Sequence, residues 1–283
     1  MSAERGPFGR GPERRGPKLW TRSLADVGVW TNAVYGDDVS TRIDCVVVDA
    51  NDPATMAHFW SAVTGWPVTS RDADPMVAPG EVTVGPALRF VLVPEKKPSV
   101  KNRLHLDLSS ASASAQAATV QRLVGLGAEP VDLGQGDVPW VVLGDPEGNE
   151  FCVLEPRDAY RDCGPIAALV VDAVDPRAQA GFWSVAAGWP IVQAKERFAA
   201  LRTGSSGSYV EFMRTDHPKT TRNRLHVGLT PNPGDDLSAE ITRLVQLGAQ
   251  RIEVGQEPAD RAPAGGVVLA DPEGNEFVAL TPR

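Results

Sequence analysis

The sequence predicts an α+β protein of two tandem domains, each a pair of βαβββ modules. Three observations predict it. The heptamer DPEGNEF occurs twice, at 145–151 and at 271–277. The stretch VVDANDPATMAHFWSAVTGWPV (47–68) matches VVDAVDPRAQAGFWSVAAGWPI (170–191) at 13 of 22 positions, which decides for duplication over chance. Within each copy, short β-branched apolar runs alternate with stretches of helical periodicity. KNRLHLDL (101–108) against RNRLHVGL (222–229), and RLVGLGAEPV (122–131) against RLVQLGAQRI (243–252), extend the match. The copies therefore span 41–157 and 164–283, with a short polar linker at 158–163.

The elements follow in chain order. Residues 43–48 form a β-branched apolar run and read as a strand. Asp52-Pro53 opens a helix, because Asp caps the first turn and Pro suits the first helical position. Met56, Phe59, Trp60 and Val63 recur at helical spacing up to Gly65. Strands are expected at 67–70, 82–84 and 88–93. The order then repeats: a strand at 103–108, a helix at 111–126, and strands at 128–133, 140–143 and 150–154. Between the last two, Asp145-Pro146-Glu147-Gly148 reads as a type I turn, with Asn149 beside it able to take the left-handed conformation. The heptamer thus has a structural explanation that needs no chemistry.

Bulk properties exclude several classes. A chain of 283 residues suits two domains. A net charge of −8 with both signs interspersed argues against a nucleic-acid partner. No apolar run approaches the roughly 18–20 residues of a membrane span. Cys45, Cys152 and Cys163 do not make a disulfide framework, so a cytoplasmic location is expected. Residues 1–40 read as a largely disordered extension, its first part rich in Gly, Pro and Arg with no secretory apolar stretch after it. Trp20, Leu24, Val27, Trp30 and Val34 suggest a short helix there, packed on the body or binding a partner.

The motifs D-P-x…F-W…G-W-P, N-R-L-H-L-D-L, L-G-A and D-P-E-G-N-E-F occur in order and twice over 41–283. In this the chain resembles the vicinal oxygen chelate superfamily, in its glyoxalase-like branch beside bleomycin-resistance proteins and dioxygenases. The resemblance implies that paired βαβββ modules curl a mixed sheet into a cup, with helices outside and ligands on the concave face. Strand alternation turns Leu104, Leu106 and Leu108 to the helices and Arg103, His105 and Asp107 to the cup. By resemblance, the metal-ligand positions fall on Cys45, Arg89, His105 and Cys152 in the first copy, and on Ala168, Glu211, His226 and Val278 in the second. The second copy thus offers one imidazole and one carboxylate. In the first, Cys45, His105 and Cys152 are a zinc-like set by type, opposed by the fixed charge of Arg89. Arg89 either faces the cup or pairs with an acid such as Asp107.

The leading expectation is therefore a protein that binds or sequesters a small organic molecule, drug or metabolite, with no metal. Its ligand-binding candidates are Cys45, Arg89, His105, Asp107, Trp140, Cys152, Glu211, Met213 and His226. Trp140 stands out because its counterpart is Gly266, whereas Trp60, Trp66, Trp183 and Trp189 recur in both copies and read as core. No cofactor is expected. The first alternative is a metal-dependent lyase or isomerase of the glyoxalase type, with His226 and Glu211 as its acid–base pair. The second is a structural or regulatory module. The expected partner is a small molecule, not nucleic acid or membrane, bound to a monomer with pseudo-dimeric domains or to a homodimer. Whether cups form within one copy or by swapping modules between chains stays open.

Overall fold

The computed structural model describes residues 41–80, 85–252 and 266–282. The expectations for 1–40 and for a strand at 82–84 lie outside them. The first copy contains β1 (Thr41–Ala50), α1 (Pro53–Thr64), β2 (Val68–Arg71), β3 (Asp74–Val77) and β4 (Ala87–Leu92). It continues with β5 (Leu104–Leu108), α2 (Ala113–Gly125), β6 (Glu129–Pro130), β7 (Val141–Gly144) and β8 (Glu150–Val153). After a 3-10 turn at Asp158–Tyr160, the second copy repeats the order. Its elements are β9 (Ile166–Ala173), α3 (Pro176–Ala187), β10 (Ile191–Ala194), β11 (Phe198–Leu201) and β12 (Tyr209–Arg214), then β13 (Leu225–Pro231), α4 (Leu237–Gln246), β14 (Gln250–Arg251), β15 (Val267–Ala270) and β16 (Glu276–Ala279).

The helix signals act as their chemistry dictates. Asp52 accepts from the Thr55 N–H at 3.1 Å, Pro53 opens α1, and Gly65 ends it in the left-handed region at φ 73°. Asp175, Pro176 and Gly188 do the same for α3. The strand β3 carries no sequence signal because its hairpin turns on Asp72 and Ala73, at φ 50° and 74°. Such turns normally advertise themselves with Asn or Gly.

The strands form two eight-stranded mixed sheets. The first runs β14-β15-β16-β13-β1-β4-β3-β2 and the second β10-β11-β12-β9-β5-β8-β7-β6. The α+β class and the mixed sheets are as expected, but each sheet takes one module from each copy. Neither arrangement left open by the sequence, cups within one copy or swapping between chains, is found: the antiparallel seams join modules of different copies of one chain. β1 pairs with β13, setting Val47 opposite His226, and β5 pairs with β9, setting Asp107 opposite Ala168. The two middle modules are neighbours in the chain and pair with each other, leaving the outer two to pair across the full length. Leu104, Leu106 and Leu108 join the helix-side core, as alternation predicts.

Packing inside a copy is aromatic instead. Trp60 of α1 lies 5.2 Å from Phe151 of β8, and Trp183 of α3 lies 5.2 Å from Phe277 of β16. Both phenylalanines end the repeated heptamer. The Gly148 N–H closes its turn on the Asp145 carbonyl at 2.8 Å. The left-handed residue is Gly148, at φ 83°, rather than Asn149, whose side chain bonds Asp145 and Asn102. Glu147 accepts from the Asn51 and Asp52 N–H groups, each at 2.8 Å, and pairs with Arg224 of the second copy at 3.2 Å. Glu273 mirrors it, accepting from Val174 and Asp175 and pairing with Arg103 at 3.1 Å. The heptamer is a clasp holding the two sheets together.

Candidate functional site

Each sheet presents a concave face, and equivalent positions on the two faces carry different side chains. On the first sheet Cys45, Val47, Met76, Ala87, Val91, Val278 and Leu280 pack as one apolar cluster. Its centre has no spare room: a Cβ on Gly228 would lie 2.9 Å from Cys45 Sγ and 3.0 Å from Leu280 Cδ1. Arg89 is fully buried and engaged by the β2–β3 hairpin, its Nη2 lying 2.7 Å from Asp74 and 3.4 Å from Asp72. It does not meet Asp107, which belongs to the other sheet. His226 is also buried, with Nε2 3.4 Å from an Asp49 carboxylate oxygen and Nδ1 3.3 Å from the Glu276 carbonyl.

The second sheet is hollow at the corresponding place. Repeat equivalence sets Ala168 where the first sheet has Cys45, and Ala200 where it has Met76. Phe198 stands in place of Asp74, and Glu211 in place of Arg89. A cavity of about 670 Å³ lies on this sheet, with Phe198 and Glu211 among its lining residues. His105 and Asp107 of β5, Cys152 of β8 and Glu211 of β12 bring polar atoms to it. Trp140, Phe198 and Met213 line its walls. Tyr160 of the linker completes the wall, and its O–H donates to Glu211 Oε1 at 2.8 Å.

Burial governs the electrostatics. It raises the Asp107 carboxyl to about 7, helped by the negative charge of Glu211. Burial also lowers the His105 imidazole to about 3, with the charge of Lys101 adding to it, so the ring is neutral near pH 7. The Cys152 thiol is pushed up by burial and by Asp107, and stays protonated. Burial raises Glu211 too, against the Tyr160 hydrogen bond and the charge of Arg157. His105 Nε2 lies 3.5 Å from Asp107 Oδ1, while His105 Nδ1 and Asp107 Oδ1 have no hydrogen-bond partner.

Six of the residues singled out from sequence meet here: His105, Asp107, Trp140, Cys152, Glu211 and Met213. Cys45, Arg89 and His226 do not, because their strands belong to the first sheet. Two expected groupings are thereby corrected. His226 and Glu211 lie on different sheets and form no acid–base pair, and Cys45 is separated in the same way from His105 and Cys152. Sequence reasoning missed Tyr160, Arg157 and Phe198. Tyr160 lies in a stretch read as a polar linker, and its lack of a repeat counterpart was the available signal.

A divalent ion of the kind the resemblance implies can be tested against these residues. One donor atom each from His105, Asp107 and Cys152 lie within 4.8 Å of one another. The imidazole is neutral, and one donor nitrogen and one donor oxygen lack partners. Three protein ligands of N, O and S type match an open zinc-like set, so the residues fit such an ion.

Comparison with known proteins agrees with the architecture. The model of the family described as glyoxalase-like domain matches the chain twice, over residues 45–154 and 168–280. A crystal structure of glyoxalase I from Zea mays superposes with a TM-score of 0.61 at 14% identity, covering 86% of this chain and 92% of that one. A mutant of the same maize protein gives a TM-score of 0.57 at 14% identity, over 86% and 94% of the two chains. A Bacillus subtilis structure assigned as a dioxygenase gives 0.56 at 12% identity, over 86% and 85%. Identities this low speak to the fold alone. Among curated proteins, none matches the chain in sequence.

Proposed function

Since the chain belongs to the glyoxalase-like domain family, with one match in each copy, we propose that it binds a small organic molecule, without a metal, in the cup of the second sheet. The first sheet's concave face is then structural. The contrast between equivalent faces carries this reading: the first sheet has no room for a methyl group at Gly228, while an open-mouthed cavity of about 670 Å³ lies on the second. That volume, apolar walls and a few convergent polar groups suit a drug-sized ligand. Each sheet is completed within one chain, which supports a monomer as the working unit, with 41–157 and 164–283 as repeats rather than separate cups. No helix among the described residues is long and apolar enough to cross a membrane. The three cysteines are buried and form no disulfide, which supports a cytoplasmic setting. A thermal-shift screen of small organic molecules in EDTA tests the reading. Hits should stabilise the wild type and fail with Met213→Trp, which blocks the cup from a partly exposed wall position. A screen without hits in EDTA that gains them with divalent ions would contradict it.

The cluster of His105, Asp107 and Cys152 favours one second reading, a metal-assisted lyase or isomerase. Those three side chains would hold the ion, which when bound would polarise a substrate oxygen as a Lewis acid. Glu211, oriented by the Tyr160 hydroxyl, is the carboxylate placed to accept a proton. Metal analysis of the purified protein separates the readings: a stoichiometric ion removed by His105→Ala favours the second.

A further inference from the structure

We infer that the cup selects an organic cation, an apolar or aromatic body carrying a protonated amine seated against Asp107 and Glu211. The inference rests on the reading of the second sheet as a ligand cup. Its observation is the charge balance of the lining. Three cations reach the cavity, and an acid answers each: Lys101 pairs with Asp172 at 2.5 Å, Arg157 with Glu155 at 2.6 Å, and Arg214 with Asp216 at 3.4 Å. The lining carboxylate of Glu150 is paired with Lys97 at 2.8 Å. That leaves Asp107 and Glu211. Among the described residues, neither has a lysine or arginine within ion-pair distance. Glu211 has only the Tyr160 hydroxyl, and Asp107 has neutral His105 at 3.5 Å and the Cys152 thiol.

Asp107 is 7% exposed and its Oδ1 has no partner, so a buried acceptor is left unsatisfied beside the cavity. A ligand ammonium supplies both the missing donor and the missing charge. An anionic ligand would meet only cations that already have acid partners. The walls agree, because aromatic faces attract cations. The Arg157 guanidinium already lies 5.9 Å from the Trp140 ring centre and 5.7 Å from that of Tyr160. A net charge of −8 draws cations to the protein from a distance.

Three probes with one ring body test it: 1-naphthylmethylamine, 1-naphthylmethanol and 1-naphthoate, titrated calorimetrically into the full chain in EDTA. The amine should bind about tenfold or more tighter than the alcohol, the worth of one charge-assisted hydrogen bond, and the carboxylate most weakly. Asp107→Asn and Glu211→Gln should each weaken the amine by about tenfold and leave the alcohol unchanged. Alcohol or carboxylate binding as tight as the amine overturns the cation selectivity and leaves the cup standing. Absence of saturable binding by all three, with melting of the wild type intact, overturns the cup itself.

Discussion

Replacing Glu147 by Ala should cost the protein about 4 kcal/mol. The side chain accepts from two backbone N–H groups at 2.8 Å and pairs with Arg224 at 3.2 Å, so one residue of the first copy holds both the start of α1 and a side chain of the other sheet. Hydrogen bonds to a charged group contribute roughly 1.5–3 kcal/mol each, and breaking a buried ion pair costs about 3–5 kcal/mol. These terms overlap, because the same carboxylate makes all the contacts. Arg224 is only 5% exposed and keeps a bond to the Glu95 carbonyl at 2.7 Å, so its charge is stranded rather than released to water. About 4 kcal/mol is a large share of the roughly 5–15 kcal/mol of a typical domain. Urea unfolding followed by circular dichroism at 25 °C measures it, with Glu273→Ala as the twin in the second copy. Glu147→Ala combined with Arg224→Met should recover part of the loss, because it removes the stranded charge. A loss below about 1 kcal/mol for both single variants would refute the clasp, since surface substitutions away from such features stay within about 0.5 kcal/mol.

Three further outcomes follow from the two concave faces. Gly228→Ala should destabilise by about 1–3 kcal/mol, because its methyl group meets Cys45 Sγ at 2.9 Å in a packed core; urea unfolding reads it. Ala200→Met copies the first sheet's Met76 into the second and should weaken binding of 1-naphthylmethylamine at least about tenfold by calorimetry, a loss of roughly 1.4 kcal/mol. Burial raises the Asp107 carboxyl to about 7 in the folded protein, against 3.8 for an ordinary aspartate. The folded state therefore keeps a proton the unfolded chain gives up, and this contribution is full below about pH 4 and lost as pH rises through 7. Relative to Asp107→Asn, wild-type stability should fall by up to about 4 kcal/mol between pH 4 and pH 8 in urea titrations.

Local chemistry was legible in the sequence, and module pairing was not. Asp52, Pro53 and Gly65 announce their helix because caps act on their own backbone. Alternation in RLHLDL turned His105 and Asp107 to the correct face because it is a property of one strand. The seams are different. RLHLDL and RLHVGL present nearly the same edge to their partners, so β5 could meet β1 or β9 without offending any local rule. Grouping by copy set Glu211 beside His226, whereas grouping by sheet sets it beside His105. The same symmetry hid which cup is hollow. Phe198 and Glu211 stand where Asp74 and Arg89 stand, and the contrast gains meaning only when the four are assigned to their sheets.

The most direct measurement is the stoichiometry of amine binding by calorimetry, in wild type and in Met213→Trp. One molecule per chain, lost in the variant, is the predicted result, because among the described residues the second sheet's face carries the cavity while the first is packed at Gly228. Two molecules per chain, or binding that survives Met213→Trp, would contradict it.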